Sequence, residues 1–394
     1  MTILRVAIVA GEASGDALGA ALIAALRGRS GPIEFRGVAG PAMRAAGCVP
    51  LADADELAVM GLIDPLKHLP RLLRLRAMLI DRITAWKPDV FIGIDAPAFN
   101  LSLAARFKSG GIATVQYVSP QVWAWRPGRV RKIARRCDLV LCLLPFEPEF
   151  YRSHAVRAEF VGHPLADQIP LVPDRAAARA ALGVDAHLPA LALLPGSRVG
   201  EVQRLAGPFI ATAIELSRRR PGLQLLAPMA NAAVRAEFER ALAAAPQAPR
   251  LNLRLFDCQA RSALTAADAA LVASGTATLE ALLCRCPMVV AYRVGAVTAL
   301  LLRTLRLVRL PYFSLPNLLA GESLAPEFFQ EAVTSENLSG AVERALDDVA
   351  RREYLQREFL QVHESLRAGG AARAAEAVLQ LLRDEGPDGE GLRH

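Results

Sequence analysis

Short apolar runs alternate with stretches of helical spacing along most of the chain, which predicts parallel sheets with helices on both faces. In the first half the runs are Arg5–Ala10, Phe35–Val38, Asp89–Ile94, Ala113–Val118, Asp138–Leu144 and Ala158–Val161. A proline-bearing, non-periodic segment from Gln168 to Pro173 interrupts the pattern. A second series follows: Ala190–Leu194, Leu223–Ala227, Leu251–Phe256, Ala269–Ala273 and Met288–Tyr292. Two α/β series joined by a hinge predict two domains, 1–167 and 168–350, with helices and a Gly/Asp/Glu tail over 351–394. In such sheets ligands collect beyond the carboxyl ends of the strands, so the loops after each run are where chemistry is expected.

Four of those loops stand out. Leu194-Pro195-Gly196-Ser197-Arg198 reads as the end of a buried strand, a tight turn and a helix start. Backbone amides there can approach a phosphate, the helix terminus adds about half a positive charge, and Arg198 supplies a permanently charged fork. The plain alternative is an ordinary turn with a solvated arginine. Ser274-Gly275-Thr276-Ala277-Thr278-Leu279-Glu280 repeats the arrangement, with Glu280 one turn in and suited to a pair of ribose hydroxyls. Here the alternative is Thr276 as a cap and Glu280 as a solvated acid. Gly11-Glu12-Ala13-Ser14-Gly15-Asp16 matches neither G-x-G-x-x-G nor a Walker loop. Its glycines admit a ligand, and Ser14 or Asp16 would otherwise cap the helix. Gly93-Ile94-Asp95-Ala96-Pro97 sets a carboxylate at the crevice end of a strand, as a general base requires, with helix capping as the alternative. His163, also at a strand end, suits a substrate contact or a hinge hydrogen bond.

Composition narrows the partners. Hydrophobic residues at 53% and charged residues at 22% of 394 specify a folded globular protein. A net charge of +7 favours an anionic partner: phosphate, nucleic acid or a membrane surface. The opening run Leu4–Ala10 lacks the basic flank of a signal peptide, and no apolar run reaches the ~18 residues of a membrane span. Cys48, Cys137, Cys142, Cys258, Cys284 and Cys286 show no metal spacing and read as buried free thiols of a reducing compartment.

Between Met60 and Ile83, Leu62, Leu66, Leu69, Leu72 and Leu73 interleave with Lys67, Arg71 and Arg74. Such a segment suits a membrane interface or a core-facing helix with a solvated basic face, and Pro70 predicts two short helices. Trp123 and Trp125 fall with six basic residues, Arg126 among them, in the fourteen positions from Trp123 to Arg136. That cluster suits an anionic amphiphile or a nucleic acid.

In their order these motifs, with Tyr117-Val118-Ser119-Pro120, Phe160-Val161-Gly162-His163-Pro164 and Leu315-Pro316-Asn317-Leu318-Leu319-Ala320-Gly321, resemble the lipid-A-disaccharide synthase family. The resemblance implies a GT-B fold: two Rossmann-like domains whose parallel sheets face across an interdomain cleft, with the C-terminal helices packed back on the N-terminal domain. It implies an inverting hexosyltransferase of lipid A and lipopolysaccharide biosynthesis in a Gram-negative bacterium. UDP-2,3-diacylglucosamine would donate its sugar to 2,3-diacylglucosamine 1-phosphate, giving a β-1′,6-linked tetraacyl disaccharide 1-phosphate and UDP, with no cofactor or metal. The base would be Asp95, with Glu12 and Asp16 as alternatives. Arg198, Ser197, Glu201, Gly275, Thr276, Glu280 and Asn317 would bind UDP, Arg198 stabilising its departure. Glu12, Ser14, Gly15, Asp16, Trp123, Arg126 and His163 would contact the sugars. Leu62, Leu66, Leu69, Leu72 and Leu73 would meet acyl chains at the cytoplasmic face of the inner membrane, where the protein would sit peripherally. The resemblance admits a homodimer and calls for no nucleic acid. The rivals are a UDP-N-acetylglucosamine 2-epimerase-like GT-B enzyme and a basic, non-catalytic nucleic-acid-binding protein.

Overall fold

The computed structural model describes residues 3–57, 65–120, 122, 130–295 and 311–384, leaving aside the side chains of 65–68 and 249. The chain forms two compact units, Met1–Asp167 with Leu366–His394, and Gln168–Ser365.

The first unit is built on β1 (Leu4–Ala10), β2 (Ile33–Ala39), β3 (Cys48–Asp53), β4 (Val90–Ile94), β5 (Ala113–Tyr117), β6 (Leu139–Cys142) and β7 (Ala158–Phe160). They form one parallel sheet in the order β3-β2-β1-β4-β5-β6-β7. Central strands such as β4 are buried throughout, as continuous apolar runs covered on both faces must be. Its helices include α1 (Ala13–Arg27), α2 (Pro41–Ala45), α3 (Pro65–Trp86) and α4 (Pro97–Ser109). Leu22, Ile23 and Leu26 of α1 pack against Val6, Ile8 and Ile92. The alternate strand residues Ala7, Val9 and Phe91 meet Leu79 and Ile83 of α3 and Leu103 and Phe107 of α4 on the opposite face.

The second unit contains α5 (Arg175–Leu182), β8 (Ala190–Leu194), α6 (Val199–Arg219), β9 (Gln224–Met229), β10 (Leu253–Asp257), β11 (Ala269–Ala273), α7 (Thr276–Leu283), β12 (Met288–Tyr292), α8 (Leu315–Ala320) and β13 (Glu327–Phe329). Its parallel sheet runs β10-β9-β8-β11-β12-β13. The last helix, α9 (Gly370–Asp384), belongs to the first unit, where Ala374, Val378 and Leu381 join the core with α1. Each sheet reverses its order once, between β1 and β4 and between β8 and β11, and these switch points are where doubly wound sheets bind ligands.

Three features depart from the sequence pattern. Strands β3 and β13 lie at sheet edges and are only partly buried: Pro50 interrupts the apolar residues of β3, and β13 is three residues long. The expected pair of helices around Pro70 is one 22-residue helix, α3. Proline there removes a single hydrogen bond near the amino end, while Leu75, Leu79 and Ile83 anchor the rest in the core. Cys258 is exposed, against the expectation of six buried thiols. Burial pushes the thiols of Cys48 and Cys137 up to about 12, so they are neither nucleophiles nor ready metal ligands.

Candidate active site

Strand β4 ends at Ile94, and the next two residues, Asp95 (φ 49°) and Ala96 (φ 38°), turn into the left-handed region. Each such residue costs about 1–3 kcal/mol and persists only where its surroundings over-determine it. Here they do. The Asp95 N–H donates to the Tyr117 carbonyl (2.9 Å), and the Asp95 carbonyl accepts from Asn100 Nδ2 (2.9 Å) and Gln116 Nε2 (3.1 Å). Asn100 Nδ2 also reaches the Ile94 carbonyl at 3.1 Å, and Gly93 makes room for it, since a Cβ there would lie 2.6 Å from Asn100 Cβ. Both amide residues are buried. Sequence reading misses them, although a buried amide inside an apolar run, as Gln116 is in β5, is a signal that some backbone needs it. The Asp95 carboxylate is half-buried and takes no hydrogen bond or ion pair among the described residues. It does not cap α4, whose N-cap is Ala96.

The Gly11 loop lies beside this turn, where a Cβ on Gly11 would be 3.3 Å from that of Ala96. Glu12 and Ser14 are exposed, and Gly15 is buried. Asp16 leaves the candidate bases and sugar contacts. Its buried carboxylate accepts from the backbone N–H groups of Gly40 (2.9 Å), Ala42 (2.8 Å) and Met43 (3.1 Å), so it caps α2 instead.

In the second unit the two anion-suited loops differ. Gly196 (φ 133°) brings the turn back on α6, and Glu201 Oε2 accepts from the N–H groups of Ser197 (3.0 Å) and Arg198 (3.4 Å). Those amides serve the loop itself, which corrects the expectation that the Ser197 amide faces a phosphate. The Arg198 side chain remains 75% exposed, 3.7 Å from Glu201. After β11, Gly275 (φ 153°) starts α7 with no side-chain cap, and the amides of Gly275, Thr276 and Ala277 find no acceptor among the described residues. Glu280 is half-buried, and desolvation raises its pKa, with Arg261 opposing. Asn317, expected at the nucleotide, is fully buried and spent. Its Nδ2 donates to the Ala325 carbonyl (2.8 Å) and Glu327 (2.9 Å), and its Oδ1 accepts from Leu324 and Ala325 N–H (2.8 Å each). It ties α8 to β13.

Residues 6–380 match the family model described as lipid-A-disaccharide synthetase. The chain belongs to that family. It is 52% identical over 385 residues to a lipid-A-disaccharide synthase of Alkalilimnicola ehrlichii, covering 97% of this chain and all of the relative. It is 52% identical over 380 residues to one of Pseudomonas aeruginosa, covering 96% and 98%. Among solved structures, the calicheamicin glycosyltransferase CalG4 superposes with a TM-score of 0.57 at 18% identity, over 98% of this chain and all of that one. A UDP-GlcNAc 2-epimerase from Neisseria meningitidis superposes with a TM-score of 0.62 at 11% identity, over 96% and 100%. The fold is therefore GT-B, and this member of the lipid-A-disaccharide synthetase family is a glycosyltransferase of lipid A disaccharide synthesis. Epimerases share its fold at low identity, and neither that reading nor the nucleic-acid one is favoured.

Of the other residues expected at the site of this family member, Trp123, Arg126 and Leu62 lie outside the described residues, as does the side chain of Leu66. The sequence does contain an Asp-x-Asp triplet, Asp53-Ala54-Asp55, contrary to the expectation that it has none: Asp53 pairs with Arg44 and accepts from the Asp55 N–H (3.0 Å), and Asp55 is exposed. Among the described residues no three His, Cys, Asp or Glu side chains gather as a metal site.

His163 follows β7. Its N–H donates to the Leu366 carbonyl (2.9 Å), and its Nδ1 accepts from Leu165 N–H (3.2 Å), which fixes the proton on Nε2. Burial pulls its pKa down to about 4, against the smaller opposing pull of Asp167. Above pH ~7.5 the imidazole is neutral in both folded and unfolded chains and contributes nothing to the pH dependence. As pH falls from there to about 4, the unfolded chain takes up a proton that the folded one refuses, so stability declines. Denaturant titrations from pH 7 to 4 should therefore show a shallower decline for His163→Gln than for wild type; parallel curves would mean that another group dominates.

Proposed function

We propose that the enzyme transfers the sugar of UDP-2,3-diacylglucosamine to the 6-hydroxyl of 2,3-diacylglucosamine 1-phosphate, with Asp95 taking the hydroxyl proton as the anomeric centre is attacked. The observation that carries this reading is the Asp95 carboxylate, unpaired among the described residues, on a strained turn held by two buried amides at the switch point of the first sheet. Arg198 and the open amides of Gly275 and Thr276 neutralise the departing diphosphate, Glu280 accepts the ribose hydroxyls, and Glu201 keeps the Arg198 loop in shape. Glu12, Ser14, Gly15 and His163, through its Nε2–H, are the remaining candidates for holding the sugars.

The acyl chains and an anionic, cytoplasmic-side membrane surface are met by α3. Leu69 is 47% and Leu73 44% exposed, beside the exposed Arg71 and Arg74. Leu72 differs: it packs against the core, so it supports the helix. No described helix is long and apolar enough to cross a membrane, and a basic amphipathic face offers interfacial binding instead. A Leu69→Ser/Leu73→Ser variant should bind phosphatidylglycerol vesicles several-fold more weakly with its melting temperature unchanged; unaltered vesicle binding would remove α3 from the interface.

The transfer itself is tested by UDP release from the diacylated UDP-sugar with and without the monosaccharide phosphate. Release that requires the acceptor supports it, and release independent of the acceptor would point to a different reaction.

A further inference from the structure

At the amino ends of β8 and β11, opposite the proposed nucleotide loops, the second unit holds a cavity of about 290 Å³ lined by Arg175, Arg179, Arg220, Arg352, His187 and Asp268 among others. Pro189 and Asp268 immediately precede those strands, so the length of a five-residue strand, ~17 Å, separates the cavity from the loops that follow them. Helix α6 carries Arg198 at its N-cap and Arg220 at its C-cap, about 30 Å apart for 21 residues. The cavity is thus distinct from the donor site.

Its charges do not balance. Asp268 pairs with both Arg175 and Arg179, and Arg220 pairs with Asp347, whose side chain is 60% exposed. Arg352 donates to the Leu346 carbonyl and forms no ion pair among the described residues. Four guanidinium groups against two carboxylates leave a surplus of two positive charges. Arg179 is built in: buried, it donates through Nε to the Ala266 carbonyl (2.9 Å) and through Nη1 to those of Asp185 and Ala186 (2.9 Å each). A second observation is independent of charge. Arg220 Nε and Arg352 Nε are buried donors with no acceptor among the described residues, and both belong to residues lining this one cavity. Buried donors are normally paired, so two unpartnered ones beside one cationic cavity point to an acceptor of opposite charge.

We propose that this cavity is a second anion site, taking a phosphate group that is free or carried on a larger molecule. Arg220 and Arg352 supply the donors, Arg175 and Arg179 supply the field, and Asp347 competes with the ligand for Arg220.

The test is calorimetric titration of sodium diphosphate at constant ionic strength into the full chain saturated with UDP, which occupies the proposed nucleotide loops. One equivalent is expected to bind, at least ten-fold more weakly when Arg220→Gln and Arg352→Gln are added, and more tightly when Asp347→Asn is added. The Asp347→Asn arm stays informative if the double arginine variant fails to fold. Vesicles containing phosphatidic acid identify the source: association that depends on Arg220 and Arg352 without uptake of soluble diphosphate assigns the phosphate to a lipid headgroup. If neither diphosphate nor vesicle binding responds to Arg220, Arg352 or Asp347, the site does not exist.

Discussion

Asp95→Asn is expected to lower kcat by about 10²- to 10⁴-fold while UDP binding stays at the wild-type level. The substitution is nearly isosteric, and asparagine tolerates the left-handed backbone that Asp95 adopts at φ 49°. The turn is held by the main-chain N–H and carbonyl of residue 95, through Tyr117, Asn100 and Gln116, and not by its side chain. The variant therefore keeps its fold and loses only a proton acceptor. Steady-state kinetics with both substrates, beside a UDP titration, checks this. A drop of less than ten-fold would move the base to Glu12, the exposed carboxylate at the start of α1, since Asp16 is committed to α2.

The next largest effect is expected at Arg198. Arg198→Ala should reduce kcat/KM by about 10²- to 10³-fold, because it removes the exposed cation of the Pro-Gly-Ser-Arg loop from charge building on the leaving diphosphate. Its side chain is 75% exposed and pairs only loosely with Glu201, so the melting temperature should change little. Arg198→Lys should recover only part of the loss, since a point charge does not replace a planar fork on two oxygens. Full activity in the lysine variant would indicate simple charge neutralisation, and full activity in the alanine variant would leave the work to the amides of Gly275 and Thr276.

Much of this architecture is legible in the amino-acid sequence. The buried strands read correctly because both faces of each sheet are covered, which makes β4, β8, β11 and, from Val6 on, β1 unbroken apolar runs. Loop positions follow, and with them the places of Asp95, Arg198 and Glu280 in the fold. The illegible part lies in what a side chain touches. Asp16, Glu201 and Asn317 each carry groups suited to a ligand, yet those groups are taken up inside the fold by backbone amides and carbonyls and, for Asn317, by Glu327 as well, in contacts that only folding sets. Asn100 and Gln116 are hard to read for the converse reason: their partner, the Asp95 carbonyl, is 5 and 21 positions away in the chain. Edge strands β3 and β13 escape because Pro50 interrupts the apolar residues of the first and the second is only three residues long.

The measurement closest to the central claim is the anomeric configuration of the disaccharide, read by NMR from a single wild-type turnover mixture. A base that deprotonates the acceptor while it attacks from the face opposite UDP gives a product inverted relative to the donor sugar. That is the predicted result. A product that retains the donor configuration would contradict Asp95 as the base of a single displacement.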